Sequence, residues 1–279
     1  MCRLFSRFSI EPQGIAEPLK EGPFSLVRLS TKDSKRLQSD GWGVGWFGRG
    51  IPRVLRSSGR IYCESARVTQ AVKTVFSPTT LGHIRRASNP LKLPKKALSS
   101  LQNSQPFRHG PWLFCHNGTL SIPREVKAEL GSWKRFVKSK NDSEVLFYWV
   151  LKTVMSARSG TPAARLKKSM QQLDAIWQRC KSAHPDLRYP YHGLNWVLTD
   201  GGILLAFCYA NPEGFKQGVA LGHKKQPYFA LQIRQSRESI DVASEAWDTD
   251  SRWEALGHGV LLVVKRRRNR LHSQRFPIL

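Results

Sequence analysis

The sequence predicts a mixed fold of strands and helices, sheets covered by helices within one domain spanning residues 1–279. Three observations predict it. Strand-like apolar runs bounded by turn residues fill both ends of the chain, two helical stretches occupy its middle, and no repeat, low-complexity tract or Pro/Gly/Ser-rich linker divides it. With 279 residues, 40% of them apolar and nine of them Trp, the chain can bury a substantial core.

The elements follow in chain order. GWGVGWFG (41–48) and IPRVLRS (51–57) read as two strands joined at Gly48–Gly50, and ARVTQAVKTVF (66–76) as a helix before the strand TTLGHIRR (79–86). WLFCHNGTL (112–120) reads as a strand ending in a turn at Asn117-Gly118. NDSEVLFYWVLKTV (141–154) is a marked helix start, in which Asn141 or Asp142 can cap and Glu144 places negative charge in the first turn. In AARLKKSMQQLDAIWQRC (163–180), Leu166, Met170, Leu173, Trp177 and Cys180 recur at three and four, one face of a helix. The rest is strand: a hairpin around Asp200-Gly201-Gly202, then YFALQIR, SIDVASEA and GVLLVVKRR, with a basic tail at 265–279.

No window approaches the roughly 18–20 apolar residues of a membrane span, and MCRLFSRFSIEPQG has no signal-peptide apolar region. A cytoplasmic protein is expected. The five cysteines, at 2, 63, 115, 180 and 208, show no CxxC or other metal-ligand spacing, so reduced thiols and no metal are expected. The formal charge of +25 is spread, net +15 over residues 1–150 and +10 over 151–279. Its one dense cluster, VVKRRRNR (263–270 with flanking Val), reads as a solvated strand end, because no aromatic-interleaved recognition motif accompanies it.

Cys115 and Cys208 lie in apolar runs and read as core. Cys2 does not, since it stands at a chain end, where chains fray. If Met1 is removed, Cys2 carries a thiol and a free α-amine on one residue. That amine, with an ordinary pKa of roughly 7.7–8.0, can serve as general base for the thiol.

Four further stretches give this thiol a context: SDGWGVGWF (39–47), GHIRRAS (82–88), CHNGTL (115–120) and NDSEV (141–145). Their order and setting resemble those of class II glutamine amidotransferases, above all the compact stand-alone members and γ-glutamyl amide hydrolases that lack a synthase domain. The resemblance runs from Cys2 to about Val264 and includes the late VASEAWDTDSRWEALGHGVLLVV. It implies an α+β fold, a four-layer αββα N-terminal-nucleophile hydrolase sandwich of two antiparallel sheets.

It also implies roles. Cys2 would be the nucleophile, cleaving a γ-glutamyl amide through a thioester and releasing ammonia or an amine and then glutamate. Asn117 and Gly118 would stabilise the oxyanion, Arg85 would clamp the α-carboxylate, Asp142 would hold the α-ammonium, and Ser88 would donate a hydroxyl near the carboxylate. Arg86 would join the substrate-binding set, although it falls where many relatives carry an aromatic residue; Gln105 stands where they often have His, and Asp40 and Gly41 would shape the pocket wall. The histidines read as structural, and no metal and no organic cofactor are expected. The implied partners are glutamine or another γ-glutamyl amide and an ammonia-accepting synthase or subunit, with no membrane. The rival reading is a catalytically silent relative whose basic surface binds nucleic acid.

Overall fold

Cys2 leads directly into the central strand of a sheet, not into a frayed end. The computed structural model describes residues 2–156, 159–216 and 218–279. Strand β1 (Arg3–Gly14) is followed by β2 (Trp42–Gly48), β3 (Ile51–Ser57) and β4 (Phe76–Ile84). A second set comprises β5 (Phe107–His109), β6 (Trp112–Leu120), β7 (Tyr191–Thr199) and β8 (Ile203–Cys208). The short hairpin β9 (Val219–Leu221) and β10 (Lys224–Gln226) precedes β11 (Gln232–Gln235), β12 (Ser239–Ala243), β13 (Glu254–Ala255), β14 (Val260–Arg267) and β15 (Arg270–Pro277). Seven strands form one sheet in the order β13-β11-β12-β1-β4-β2-β3, and six form the other, β15-β14-β8-β7-β6-β5. The pairings are antiparallel throughout.

The helices are α1 (Leu26–Leu29), α2 (Ser65–Thr74), α3 (Lys95–Leu98), α4 (Pro123–Ala128), α5 (Asp142–Val150) and α6 (Pro162–Cys180). Three apolar clusters show how they stack. Leu4, Phe8 and Leu81 of the first sheet meet Leu113, Cys115, Val197, Ala206 and Leu262 of the second. On the outer face of the first sheet, Phe5, Trp42 and Val44 pack on Leu26 and Leu29 of α1 and Val68 and Ala71 of α2. On the outer face of the second, Phe114, Trp196 and Phe207 pack on Phe147 of α5 and Leu166, Met170, Leu173 and Trp177 of α6. Successive strand residues such as Leu4 and Phe5, or Leu113 and Phe114, thus enter different cores, as alternation of side chains across a strand requires. The result is four layers, helix–sheet–sheet–helix.

The structure corrects several local expectations. Strand β6 continues through Asn117 and Gly118 to Leu120, with Asn117 opposite Asn195 and Gly118 opposite Leu194, so no turn forms there. A Cβ on Gly118 would stand 2.0 Å from the Gly193 carbonyl oxygen; the glycine lets two strands close up. Residues 265–279 are not a tail: β14 and β15 form a hairpin, and β15 is the sheet edge. Within the basic cluster, Arg266 donates to the carbonyls of Ser9, Gly201 and Pro78 and covers the Phe8 ring at 4.4 Å, pinning the two sheets together. YFALQIR pairs only from Gln232, and β1 and β15 are strands that sequence patterning had not marked. As expected, Cys115 and Cys208 are buried, and all five cysteines are free thiols.

Ion pairs fix the segment that leaves β12. Arg7 on β1 pairs with Asp241 at 2.9 Å, and Arg234 bridges Asp241 and Asp248 while lying over the rings of Trp247 and Trp253. These guanidinium–carboxylate pairs, shielded from water, hold Ser244 and Glu245 against the start of β1.

Candidate active site

Cys2 is buried, 8% exposed, and its thiol donates to the Arg86 carbonyl at 3.5 Å. Burial pushes the thiol above its ordinary pKa; the Arg85 charge pulls it back and the Asp142 carboxylate adds to the rise. Both charges therefore bear on the sulfur. Cys115 lies close behind, its thiol driven well up by burial and by Cys2, as befits inert packing.

Arg85 follows the last residue of β4 and is 3% exposed. One guanidinium nitrogen, Nη1, donates to the carbonyls of Leu98 (2.7 Å) and Asp40 (3.2 Å). Its Nε and Nη2 meet no acceptor among the described residues, so the side-on fork that suits a carboxylate is free. Asp40 fixes this corner from the other side: its amide donates to Arg85 O, and its Oδ2 accepts from the Ala87 amide at 2.7 Å. The Arg86 side chain is exposed; only its backbone carbonyl reaches Cys2.

Asp142 opens α5 but does not cap it. Asn141 does, accepting from the Ser143 amide at 3.0 Å. Asp142, 2% exposed, accepts from the Leu120 amide through Oδ2 (2.8 Å) and from the Ser88 hydroxyl through Oδ1 (3.0 Å). Ser88 is thus committed to a protein carboxylate. Burial raises the Asp142 pKa, and the Leu120 amide, Ser88 and Arg85 oppose the rise.

Asn117 is 2% exposed. Its Nδ2 lies 3.2 Å from the Ser244 hydroxyl, which also accepts from the Leu4 amide at 3.1 Å, and its Oδ1 has no partner among the described residues. Nδ2 carries a second N–H beyond the one directed at Ser244, and that hydrogen has no acceptor among the described residues. Ser244, which contacts both Asn117 and the Leu4 amide, is a neighbour that sequence reading missed; SIDVASEA, with Ser239, Asp241 and Glu245 also polar, gives no signal that singles it out.

Gln105 braces β6 beside Asn117, and the histidines around it are structural, as expected. The Gln105 side chain clamps the backbone of His116, accepting from the amide (2.6 Å) and donating to the carbonyl (3.2 Å). His116 is satisfied by Ser143 Oγ (2.9 Å) and the Gly193 carbonyl (3.0 Å), and burial lowers its pKa to about 4. His83 spans the sheets to the His116 carbonyl at 3.2 Å, its pKa lowered by burial to about 3. Among the described residues no cluster of three His, Cys, Asp or Glu side chains could hold a metal, and no helix is long and apolar enough to cross a membrane.

The structure thus gathers Cys2, Arg85, Ser88, Asn117 and Asp142, with Gly118 next to Asn117 in the strand. The arrangement offers a thiol, a free guanidinium edge, a carboxylate and an amide around one buried point.

Known proteins share the fold. A glutamine aminotransferase class-II domain protein from Silicibacter pomeroyi superposes with a TM-score of 0.63 at 17% identity, over 99% of each chain. The glutamine phosphoribosylpyrophosphate amidotransferase of B. subtilis gives 0.58 at 16% identity, over 98% of this chain and 49% of its own, so the present chain spans about half of it. A γ-glutamyl-hercynylcysteine sulfoxide hydrolase of Mycobacterium tuberculosis is 24% identical over 220 residues, 78% of this chain and 71% of that protein. Residues 15–274 match the class-II glutamine amidotransferase family; the matched segment contains Arg85, Ser88, Asn117, Gly118 and Asp142 and begins after Cys2. The chain belongs to the class-II glutamine amidotransferases, enzymes of the amidohydrolase and amidotransferase kind.

Proposed function

We propose that this enzyme hydrolyses the γ-amide of glutamine or a larger γ-glutamyl compound through a thioester on Cys2. The observation that carries the reading is the thiol at the head of β1 on the Arg86 carbonyl, with Arg85 next to that carbonyl in the chain and Asp142 hydrogen-bonded to Ser88 of the same segment. A γ-glutamyl group has an α-carboxylate and an α-ammonium, and Arg85 and Asp142 are its complements. The name of the mycobacterial relative, 24% identical, supports the same bond.

The steps follow from the groups present. Removal of Met1 leaves Cys2 as the first residue, with a free amine. Because burial raises the thiol pKa, little thiolate exists at neutral pH, and the proton must leave as the sulfur attacks. The adjacent amine accepts it. The S–C bond forms at the amide carbon, and the oxyanion is met by the Asn117 side-chain NH2 and the Gly118 backbone NH. Removing one such donor costs roughly 2.7–4 kcal/mol of barrier. The ammonium returns the proton to the leaving nitrogen, the C–N bond breaks, and ammonia or an amine departs. Water, deprotonated by the same amine, then cleaves the thioester, releasing glutamate and restoring the thiol.

Ligand entry requires movement. The segment after Arg85 closes the site, its Leu98 carbonyl on Arg85, its Ser88 on Asp142 and its Arg86 carbonyl on the thiol. Lifting it exposes all three groups together.

Glutamate release from glutamine and from a panel of γ-glutamyl amides is the test, with intact mass recorded on the same sample. Turnover by protein that lacks Met1, abolished in Cys2→Ala and reduced to a trace in Cys2→Ser, is expected. Full activity in either variant, or in protein whose Cys2 amine is still acylated by Met1, would refute the mechanism.

A further inference from the structure

Beside the reacting centre lies a cleft of about 270 Å³ that the mechanism does not use, lined among others by Arg3, Lys32, Arg36, Gln38, Tyr228 and Glu245. Two adjacent backbone segments tie it to the site. Cys2 carries the thiol, and its neighbour Arg3 lines the cleft while donating from Nη1 to the Cys2 carbonyl at 3.0 Å. Ser244 holds Asn117, and its neighbour Glu245 lines the cleft and pairs with Arg3.

The cleft contains unspent acceptors. Glu245 is 4% exposed, yet its Oε2 accepts no hydrogen bond among the described residues; only Lys32 Nζ approaches, at 3.8 Å. Gln38 is 6% exposed and its Oε1 is likewise unpartnered. Buried acceptors without donors are rare in folded proteins, because each forfeits the hydrogen bonds water had given it. They call for a ligand that brings N–H groups. On the exposed rim stand Lys32, 3.8 Å from Glu245, and Arg36, 3.8 Å from Asp33 and 3.4 Å from the Tyr228 hydroxyl; both are long, solvated pairs that a bound anion can displace. Arg3 is already spent on Glu245 and the Cys2 carbonyl. The volume lies just below the roughly 300–1,000 Å³ of sites for drug-sized ligands, which suits a fragment of amino-acid size.

We propose that this cleft is a leaving-group subsite, and that the preferred substrates are γ-glutamyl amides whose amine portion carries both a cationic N–H donor and a carboxylate. The cation meets Glu245 and Gln38, and the carboxylate meets Lys32 and Arg36. The assignment rests on the γ-amide hydrolysis proposed above and names its substrate class. Glutamine, whose leaving group is ammonia, leaves the cleft unfilled.

A matched panel tests it: glutamine and the γ-glutamyl amides of pentylamine, 1,5-diaminopentane, 6-aminohexanoate and the ε-amine of lysine, which differ chiefly in terminal charge. The expected result is a kcat/KM for the lysine compound at least tenfold above that of the pentyl amide, with the two singly charged compounds between. Lys32→Ala combined with Arg36→Ala should lower the ratio of lysine compound to diaminopentane compound about tenfold. Gln38→Met should lower the ratio of lysine compound to aminohexanoate compound. Equal kcat/KM across the four amides, or ratios unmoved in folded variants, would overturn the subsite while leaving γ-amide hydrolysis standing. Absence of glutamate release from every compound, glutamine included, would instead overturn the parent reading.

Discussion

The Asn117 side chain and the Ser244 hydroxyl stand 3.2 Å apart across the gap between the two sheets, although 127 residues separate them in sequence. Ser244 also receives the Leu4 amide, two residues from the thiol. One hydroxyl therefore sets both the proposed oxyanion donor and the strand that delivers the nucleophile. Ser244→Ala should lower kcat for γ-glutamyl amides by about 10- to 100-fold, short of the ~10²–10³ that follows removal of a donor outright, with KM within about twofold. Steady-state kinetics on the purified variant decide it; an unchanged kcat would show that Asn117 needs no such anchor.

Asp142→Asn should separate stability from binding. Burial raises the Asp142 pKa, so the folded state holds the proton more tightly than the unfolded state does, and the ionised carboxylate destabilises the fold above its raised pKa. Asn can still accept from the Leu120 amide and donate to Ser88. The variant should therefore melt above the parent at pH 8, with the difference shrinking as pH falls toward about 4, the unfolded carboxyl value. Its KM for γ-glutamyl substrates should rise more than about tenfold through loss of the ammonium partner. A Tm difference that grows with acidity would contradict the assignment.

Buried histidines give the opposite trend. His116 and His83 titrate at about 4 and about 3 in the folded protein, depressed by burial, against roughly 6.5 unfolded. Below pH 6.5 the unfolded chain binds more protons, so stability falls as pH drops through 6.5 and continues to fall toward 4. In the Asp142→Asn background, where that carboxyl no longer titrates, urea midpoints should decline between pH 6.5 and 5, and adding His116→Gln should flatten the decline. A level profile for Asp142→Asn alone would show that these rings ionise freely.

Gly118→Ala tests packing. The added Cβ would meet the Gly193 carbonyl oxygen at 2.0 Å and its carbon at 2.5 Å, both backbone atoms of the paired strand. Neither can turn aside. Overpacking of this kind usually costs about 1–3 kcal/mol, and a clash with backbone should reach the upper end or beyond, read as a lowered denaturation midpoint or loss of soluble protein. Tolerance of Ala with full stability would mean that β6 and β7 are farther apart than described.

Legibility in the sequence followed the range of the interaction. The hairpins β2–β3 and β7–β8 and the amphipathic α6 are written locally, in alternation, turn residues and a 3.6 period. Strand β1 is not, because Ser6, Arg7 and Ser9 break its apolar alternation; the Arg7 charge is tolerable only beside Asp241, far along the chain. The Asn117-Gly118 pair looks like a turn for a similar reason, since only the approach of Gly193 reveals why glycine stands in a strand. Its place at the chain start singled out Cys2, and the motifs singled out Arg85, Asn117 and Asp142, whose chemistry is characteristic. Ser244 and Gln105 are ordinary residue types made important by a partner that sequence spacing does not reveal.

Strand β15 closes one side of the six-stranded sheet and leaves its outer backbone groups facing water. Such an open border invites a second copy to add itself by strand pairing. Here Arg270 and Arg275 lie on that border, and Lys265, Arg267 and Arg268 on the strand and turn beside it, all on the surface. Arg275 is held by Glu254, but Arg270 and its neighbours would face like charge if two such borders met. Part of the large positive charge thus sits where it works against edge-to-edge pairing of this strand.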